Sequence, residues 1–428
     1  MPSEGFTMRV LCCVSTSVSH ARALLPVARV LAHAGHEVRM ATTAPLLRVF
    51  DGEPFRARPD LPAPFPRANE SLADLAGALT GEEDDIALAG RMSARLFAGP
   101  HITDGYRALA AVAERFRPDL VLRGGAEFAA VLLAEHLGVP HVSAPSGSAN
   151  ALPADDLLSL LNARNLELAR PGWDDLGPLH RHGRLDFMPA RYPFTPPDLP
   201  AAITYRQPDT VARGEVLPDW VLALPADRPL VLASIGTVIP KLREQATDPF
   251  TVGVQADALS ALLAVTTALG DLDCVGVVAT GGLVPADSPA PGHVRLVDHF
   301  PQPLLLRCAQ LFITHGGYNS IRESVVAGVP MAVLPRFGDQ FANADRVDAL
   351  GLGLRVTDGA AEGIAAVCRT LLTDPAAIAR ARLAQRHMLA LPPIEDLVPR
   401  LEQVAGRGAG AGIPEQVGAD GHDLVERA

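Results

Sequence analysis

Two histidines and a pair of glycines are the residues of this chain best suited to chemistry. Phe312-Ile313-Thr314-His315-Gly316-Gly317-Tyr318-Asn319-Ser320 passes from an apolar strand pattern through a glycine turn into a helix start. Glycines let a backbone approach an anion closely, and a helix opening at Asn319 and Ser320 offers unpaired N–H donors with a favourable dipole. His315, at the strand end, places an imidazole where it can neutralise a further phosphate oxygen. The same residues also read as a bare tight turn capped by Asn319 or Ser320. His20 falls in the Ser/Thr loop that follows the first apolar run. Imidazole titrates near neutrality, which suits it to accept a proton from an alcohol. A lone loop histidine serves equally as a helix cap or a solvated side chain.

The elements that would position these residues follow a strand–helix rhythm. Met8-Arg9-Val10-Leu11-Cys12-Cys13-Val14 has the length of a buried parallel strand, and apolar residues then recur at helical spacing from Leu24 to Leu31. Gly35 stands where such a helix ends, before a second strand at 37–42. Strands at 118–122 and 140–144 flank a helical stretch at 127–137. The rhythm repeats with strands at 229–234, 274–279, 311–314 and 330–334 and helices at 254–269, 319–327 and 341–350. Alternation of this kind predicts an α/β protein of two doubly wound domains, with ligands bound at the carboxyl ends of the strands.

Composition narrows the function classes. With 428 residues, 48% hydrophobic and 20% charged, the chain reads as globular, and about two domains are expected. A formal charge of −11 argues against binding a nucleic-acid backbone. Lys241 is the only lysine, and the wealth of Ala, Gly and Pro is that of a high-GC bacterial source. The five cysteines have no C-x-x-C spacing, so neither zinc nor a redox pair is signalled. Glu82-Glu83-Asp84-Asp85 lacks Asp-x-Asp spacing and reads as an acidic helix start rather than a metal site. His33, His36, His136 and His141 read as structural. No basic flank with an apolar stretch opens the chain and no apolar run reaches about 18 residues, so a cytoplasmic protein without membrane contact is expected.

Taken together, His299-Phe300-Pro301-Gln302, His315 to Ser320, Glu323, Gly328-Val329-Pro330 and Asp339-Gln340 resemble the nucleotide-sugar signature of GT-B glycosyltransferases. This superfamily includes plant secondary-metabolite and bacterial antibiotic glycosyltransferases, and the resemblance extends over nearly all of the chain except its tail. It implies two Rossmann-like domains facing across a cleft. Residues 1–210 would bind the acceptor, 211–228 form a linker, 229–405 bind the nucleotide-sugar, and 406–428 form a flexible tail. The last helix would pack back on the first domain.

The resemblance also implies roles. Phe300 and its backbone would border the nucleobase, with Gln302 nearby. His315, Gly316, Gly317, Asn319 and Ser320 would hold the diphosphate, Glu323 the ribose hydroxyls, and Asp339 and Gln340 the sugar hydroxyls. Ser234-Ile235-Gly236-Thr237 is similar to the family's phosphate loop, although a hydroxyl-capped turn has the same form. His20, six residues before Pro26, resembles the catalytic histidine segment. Three positions depart from the family pattern: His299 replaces a stacking tryptophan, Ser19 a glycine, and Gly124 the aspartate that orients the histidine. Glu127 is the candidate substitute for that aspartate.

The reaction so implied is inverting transfer from a UDP- or TDP-sugar to a hydroxyl of a small, largely apolar natural product, with His20 as general base. No metal or other cofactor is expected. Acceptor contacts are expected from residues 55–67, 97–106, 145–152 and 173–194. A nucleotide-sugar 2-epimerase and a non-catalytic nucleotide-sugar-binding partner share the architecture and remain as alternatives. A homodimer and an auxiliary activator protein are both compatible with the sequence.

Overall fold

The computed structural model describes residues 7–64, 85–208, 215–236 and 249–406. Thr237, the acidic run as far as Asp84, residues 211–214 of the expected linker and the tail beyond Gly406 lie outside them.

The apolar runs form all-parallel sheets. In the first, β1 (Arg9–Cys13), β2 (Glu37–Ala41), β3 (Arg56–Arg58), β4 (Leu120–Arg123) and β5 (His141–Ser143) lie in the order β3-β2-β1-β4-β5. A short pair follows, β6 (Leu185–Asp186) with β7 (Ile203–Thr204). The second large sheet contains β8 (Leu230–Ser234), β9 (Val275–Ala279), β10 (Val294–Val297), β11 (Leu311–Thr314), β12 (Met331–Val333) and β13 (Gly353–Arg355). Its order is β10-β9-β8-β11-β12-β13. Val10, Leu11, Cys12 and Cys13 are wholly buried, as strands covered by helices on both faces must be. In each sheet the strand order reverses beside the first strand, between β1 and β4 and between β8 and β11. Loops leaving such neighbours depart to opposite faces and open a crevice at the carboxyl ends.

Of the helices, those that shape this crevice are α1 (Val18–His33), α2 (Asp85–Ala98), α3 (Phe128–Leu137), α4 (Gly147–Asn150), α5 (Tyr318–Ala327) and α6 (Gln340–Ala349). Ser17 caps α1, its hydroxyl accepting from the His20 N–H at 3.2 Å. His20 is therefore not a loop residue, as the sequence suggests, but part of the first helical turn, because the cap forms three residues earlier. Gly35 adopts φ +92 just past the helix end, a conformation glycine accepts without strain. The stretch 97–106, expected to contact the acceptor, is mostly helical, running from the end of α2 into the helix His101–Phe116.

One apolar core joins the halves, running from Val10 and Leu122 through Phe187, Phe194 and Tyr205 to Tyr318, Leu232 and Phe312. Within it the Tyr318 hydroxyl donates to Asp186 at 2.7 Å, and the Phe187 and Tyr318 rings lie 4.8 Å apart. The last helix among the described residues, α7 (Leu397–Gly406), packs against α1, and Glu402 lies 3.3 Å from His36 Nε2. Among the described residues no helix is long and apolar enough to cross a membrane. Replacing Tyr318 with Phe leaves a buried carboxyl short of its 2.7 Å hydrogen bond. Urea titration should then find the unfolding free energy lower by about 1–3 kcal/mol, and an unchanged value would remove this bond from the joint between the halves.

Candidate active site

Both strand-order reversals open onto one cleft of about 840 Å3 of empty space, its mouth included. The β1–α1 turn lines it with Thr16, Ser17, Ser19 and His20, and the loop after β5 with Pro145, Ser146, Gly147 and Ser148. From the second sheet come Ile235, His315, Gly317, Asn319, Asp339 and Gln340. The two histidines thus share a crevice.

His20 is half-buried, its ring 5.9 Å from that of Phe97, and desolvation pulls it down to about 4. The ring is neutral at pH 7. Its Nδ1 lies 2.5 Å from Thr16 Oγ1. Thr16 is the side chain that holds the imidazole, and the expectation that Glu127 does so is corrected. Glu127 is buried at the start of α3, and its carboxylate accepts from Ser15 Oγ at 2.6 Å instead. Burial holds this carboxyl up at about 7, outweighing Ser15 and the Arg123 charge. Thr16 stands before the Ser17 cap, outside the helix, so no helical spacing rule pairs it with His20, and a hydroxyl-rich run beside the histidine is the only signal the sequence carries.

In the second half, burial likewise brings His315 down to about 4 against a hydrogen bond at the Ser234 backbone, and Nδ1 has no partner. A neutral ring offers an N–H but no charge, so His315 does not neutralise an anion in this state. Gly316 and Gly236 adopt φ of +88 and +83, which favour glycine, and Gly236 and Gly317 are small for a further reason. A Cβ at Gly236 would lie 2.6 Å from the His315 ring, and one at Gly317 would collide with it. These glycines make room for the imidazole. Gly317 is itself the N-cap of α5, and no side chain caps the helix, so the reading of Asn319 or Ser320 as a cap is also corrected. The first-turn N–H groups keep their dipole free of side-chain compensation. Ser234 Oγ accepts from the Gly236 N–H at 3.3 Å, the hydroxyl-capped turn foreseen as one form of that loop.

The remaining candidates fall into two groups. Asp339 reaches the cleft, accepting from Asn343 Nδ2 at 2.9 Å and from Ser148 Oγ at 3.4 Å, and burial lifts its carboxyl to about 6. Gln340 Oε1 accepts from the backbone N–H groups of Arg336 and Phe337 at 3.0 and 3.3 Å. Its oxygen is occupied, and the donor half of the amide is what it can offer. On the flank, Gln302 Nε2 donates to Glu323 at 2.7 Å and to Ser320 Oγ at 3.2 Å, while Phe300 is buried in the core. Burial also raises Glu323, opposed first by the Arg322 charge. Asn319 donates through Nδ2 to both Ser19 O and Ser19 Oγ, at 2.9 and 2.8 Å. Ser19 and Ser148 were not singled out as site residues. They meet partners 300 and 191 positions away, and no local pattern signals such contacts. Among the described residues one trio has metal-ligand geometry, Glu135, His141 and His182, and none of it lines the cleft.

Residues 264–404 match the family model for the C-terminal domain of erythromycin biosynthesis protein CIII-like proteins. The L-demethylnoviosyl transferase of Streptomyces niveus is 30% identical over 382 residues, covering 86% of this chain and 90% of that relative. The tylactone mycaminosyltransferase of Streptomyces fradiae is 29% identical over 453 residues, 96% of each chain. The crystal structure of the glycosyltransferase SnogD from Streptomyces nogalater superposes with a TM-score of 0.68 at 27% identity, over 94% of this chain and 100% of that one.

The Glu127 carboxyl has a stability consequence. Its folded pKa of about 7 lies above the ordinary carboxyl value, so ionisation favours the unfolded chain as pH rises between the two. Glu127→Gln removes that burden. The variant should gain stability over the parent as pH rises from 5 to 8, by up to about 3 kcal/mol. Parallel unfolding curves with a pH-independent gap would contradict this.

Proposed function

The chain belongs to the natural-product glycosyltransferases of GT-B fold, and we propose that it moves the sugar of a UDP- or TDP-sugar, with inversion, onto a hydroxyl of a small, largely apolar acceptor. The observation that carries this reading is the pair His20 and His315, one from each sheet, opening onto one cleft. The donor's diphosphate rests at the start of α5, where the uncapped N–H groups and the helix dipole attract negative charge. His315 adds a neutral donor there, beside Ser234, Gly236 and Gly317. Glu323, bonded to Gln302, takes the ribose hydroxyls, with Ser320 beside them and Phe300 bordering the base. The Asp339 carboxylate accepts from sugar hydroxyls, and the Gln340 amide donates to one.

The acceptor lies against Leu96, Phe97, Pro145 and Phe337, apolar walls that favour an apolar aglycone. The tylactone mycaminosyltransferase, by its name, transfers a mycaminosyl group to tylactone. Each relative named above is a sugar transferase, which favours transfer over the epimerase and binding-only alternatives.

Chemistry follows from protonation states. The scheme assigns His20 the tautomer in which Nδ1–H donates to Thr16 Oγ1, its partner at 2.5 Å, and this leaves the Nε2 lone pair for the acceptor hydroxyl. A neutral ring is ready to take the proton, and the arriving diphosphate raises its proton affinity by placing negative charge nearby. The hydroxyl oxygen bonds to the anomeric carbon as the bond from that carbon to the diphosphate oxygen breaks. Charge grows on the leaving phosphate, where the N-terminus of α5 stabilises the transition state more than the ground state. In this scheme the dipole and neutral donors meet the leaving-group charge without a metal ion or other cofactor.

His20→Ala tests the scheme directly. With both substrates saturating, transfer followed by chromatography should fall by roughly 10²–10⁴-fold. Binding of UDP or TDP should be unchanged. A variant that transfers at nearly the parent rate would take His20 out of the base role.

A further inference from the structure

We infer that Ser19 is a positioning residue that holds the Asn319 amide across the cleft, and that a nucleoside diphosphate at the start of α5 competes with Ser19 for this amide. The inference rests on the diphosphate site proposed above. Both contacts of Asn319 Nδ2 are with Ser19, to its carbonyl oxygen at 2.9 Å and its hydroxyl oxygen at 2.8 Å. A carbonyl only accepts, so the orientation of the amide is settled by chemistry. Its N–H groups face Ser19 and its own carbonyl oxygen faces away.

That orientation is wrong for an anion. A carbonyl oxygen repels a phosphate oxygen, and the donors a phosphate needs are already in use. Asn319 serves a diphosphate only after it turns, or after α1 and α5 separate, and either movement breaks both bonds to Ser19. A second tie lies on the opposite wall, where Ser148 Oγ is 3.4 Å from Asp339. A Cβ on the neighbouring Gly147 would collide with the same carboxylate, so the first half covers this side chain closely. The two residues expected to meet the donor's diphosphate and its sugar are thus both engaged by serines of the other half.

The test is the affinity of UDP and TDP, by calorimetry, for the parent protein and for Ser19→Ala, Ser19→Gly and Ser19→Thr. Loss of one competing hydrogen bond should tighten the nucleotide that binds by about three- to fivefold in Ser19→Ala and Ser19→Gly. Ser19→Thr, which keeps a hydroxyl, should return to the parent value. If Ser19→Ala does not fold, Ser19→Gly carries the same comparison. A purely structural serine would move affinity the other way, since loosening the cleft weakens binding. Unchanged or weaker binding in the two variants without a hydroxyl overturns the inference and leaves the diphosphate site standing. Failure of both nucleotides to bind the parent and every variant removes the diphosphate site itself, and this inference with it.

Discussion

Parallel strands buried on both faces must send their connections out at the ends, and where strand order reverses, two neighbouring connections part company. This constraint acts twice here, between β1 and β4 and between β8 and β11. Both histidines and the Ser234 turn stand on connections that leave these strands, while Ser148, Asp339 and Gln340 come from the connections after the next strands out, β5 and β12. A single reversal would make a one-sided groove. Two reversals make a cleft because a shared apolar core, with Asp186 and Tyr318 bonded inside it, turns the two sheets toward each other.

Burial then decides the electrostatics. Both cleft histidines are driven to about 4, while Asp339 and Glu127 are raised to about 6 and 7. These shifts have the same origin: desolvation disfavours whichever form is charged, and the opposing hydrogen bonds are too weak to restore it. Among the described residues that line the donor-free cleft, Asp339 at about 6 is the side chain ionised at pH 7, and the start of α5 rather than a cation attracts an anion there. Such a site can receive a diphosphate without first breaking an ion pair, and the new negative charge can strengthen a neighbouring imidazole as a base. Neutral imidazoles and hydroxyls, not salt bridges, are the local vocabulary.

Close packing explains why small residues surround these groups. Gly236 and Gly317 press on the His315 ring, and Gly147 presses on Asp339. The backbone, which cannot change rotamer, holds these side chains in place and gives the cleft rigid walls. Serine hydroxyls cross from one half to the other, at Asn319 and at Asp339.

Much of this was legible in the chain itself. Apolar runs of strand length separated by helical periodicity determine a parallel α/β architecture, because strands buried on both faces need helices on each side, and the tertiary structure makes it two open, doubly wound sheets rather than a closed barrel. The spacing from His299 to Gln340 determines the family, because a strand end, a glycine turn and a helix start are local features. What only the tertiary structure decided was who touches whom. Thr16 rather than Glu127 supports His20, Ser19 rather than a ligand holds Asn319, and Gln340 has its oxygen already occupied. It also decided charge, since neutral imidazoles and raised carboxyls are properties of burial and not of residue type. Contacts such as that of Ser19 with Asn319, 300 positions apart, exist only because two sheets pack face to face, and sequence carries no local record of that event.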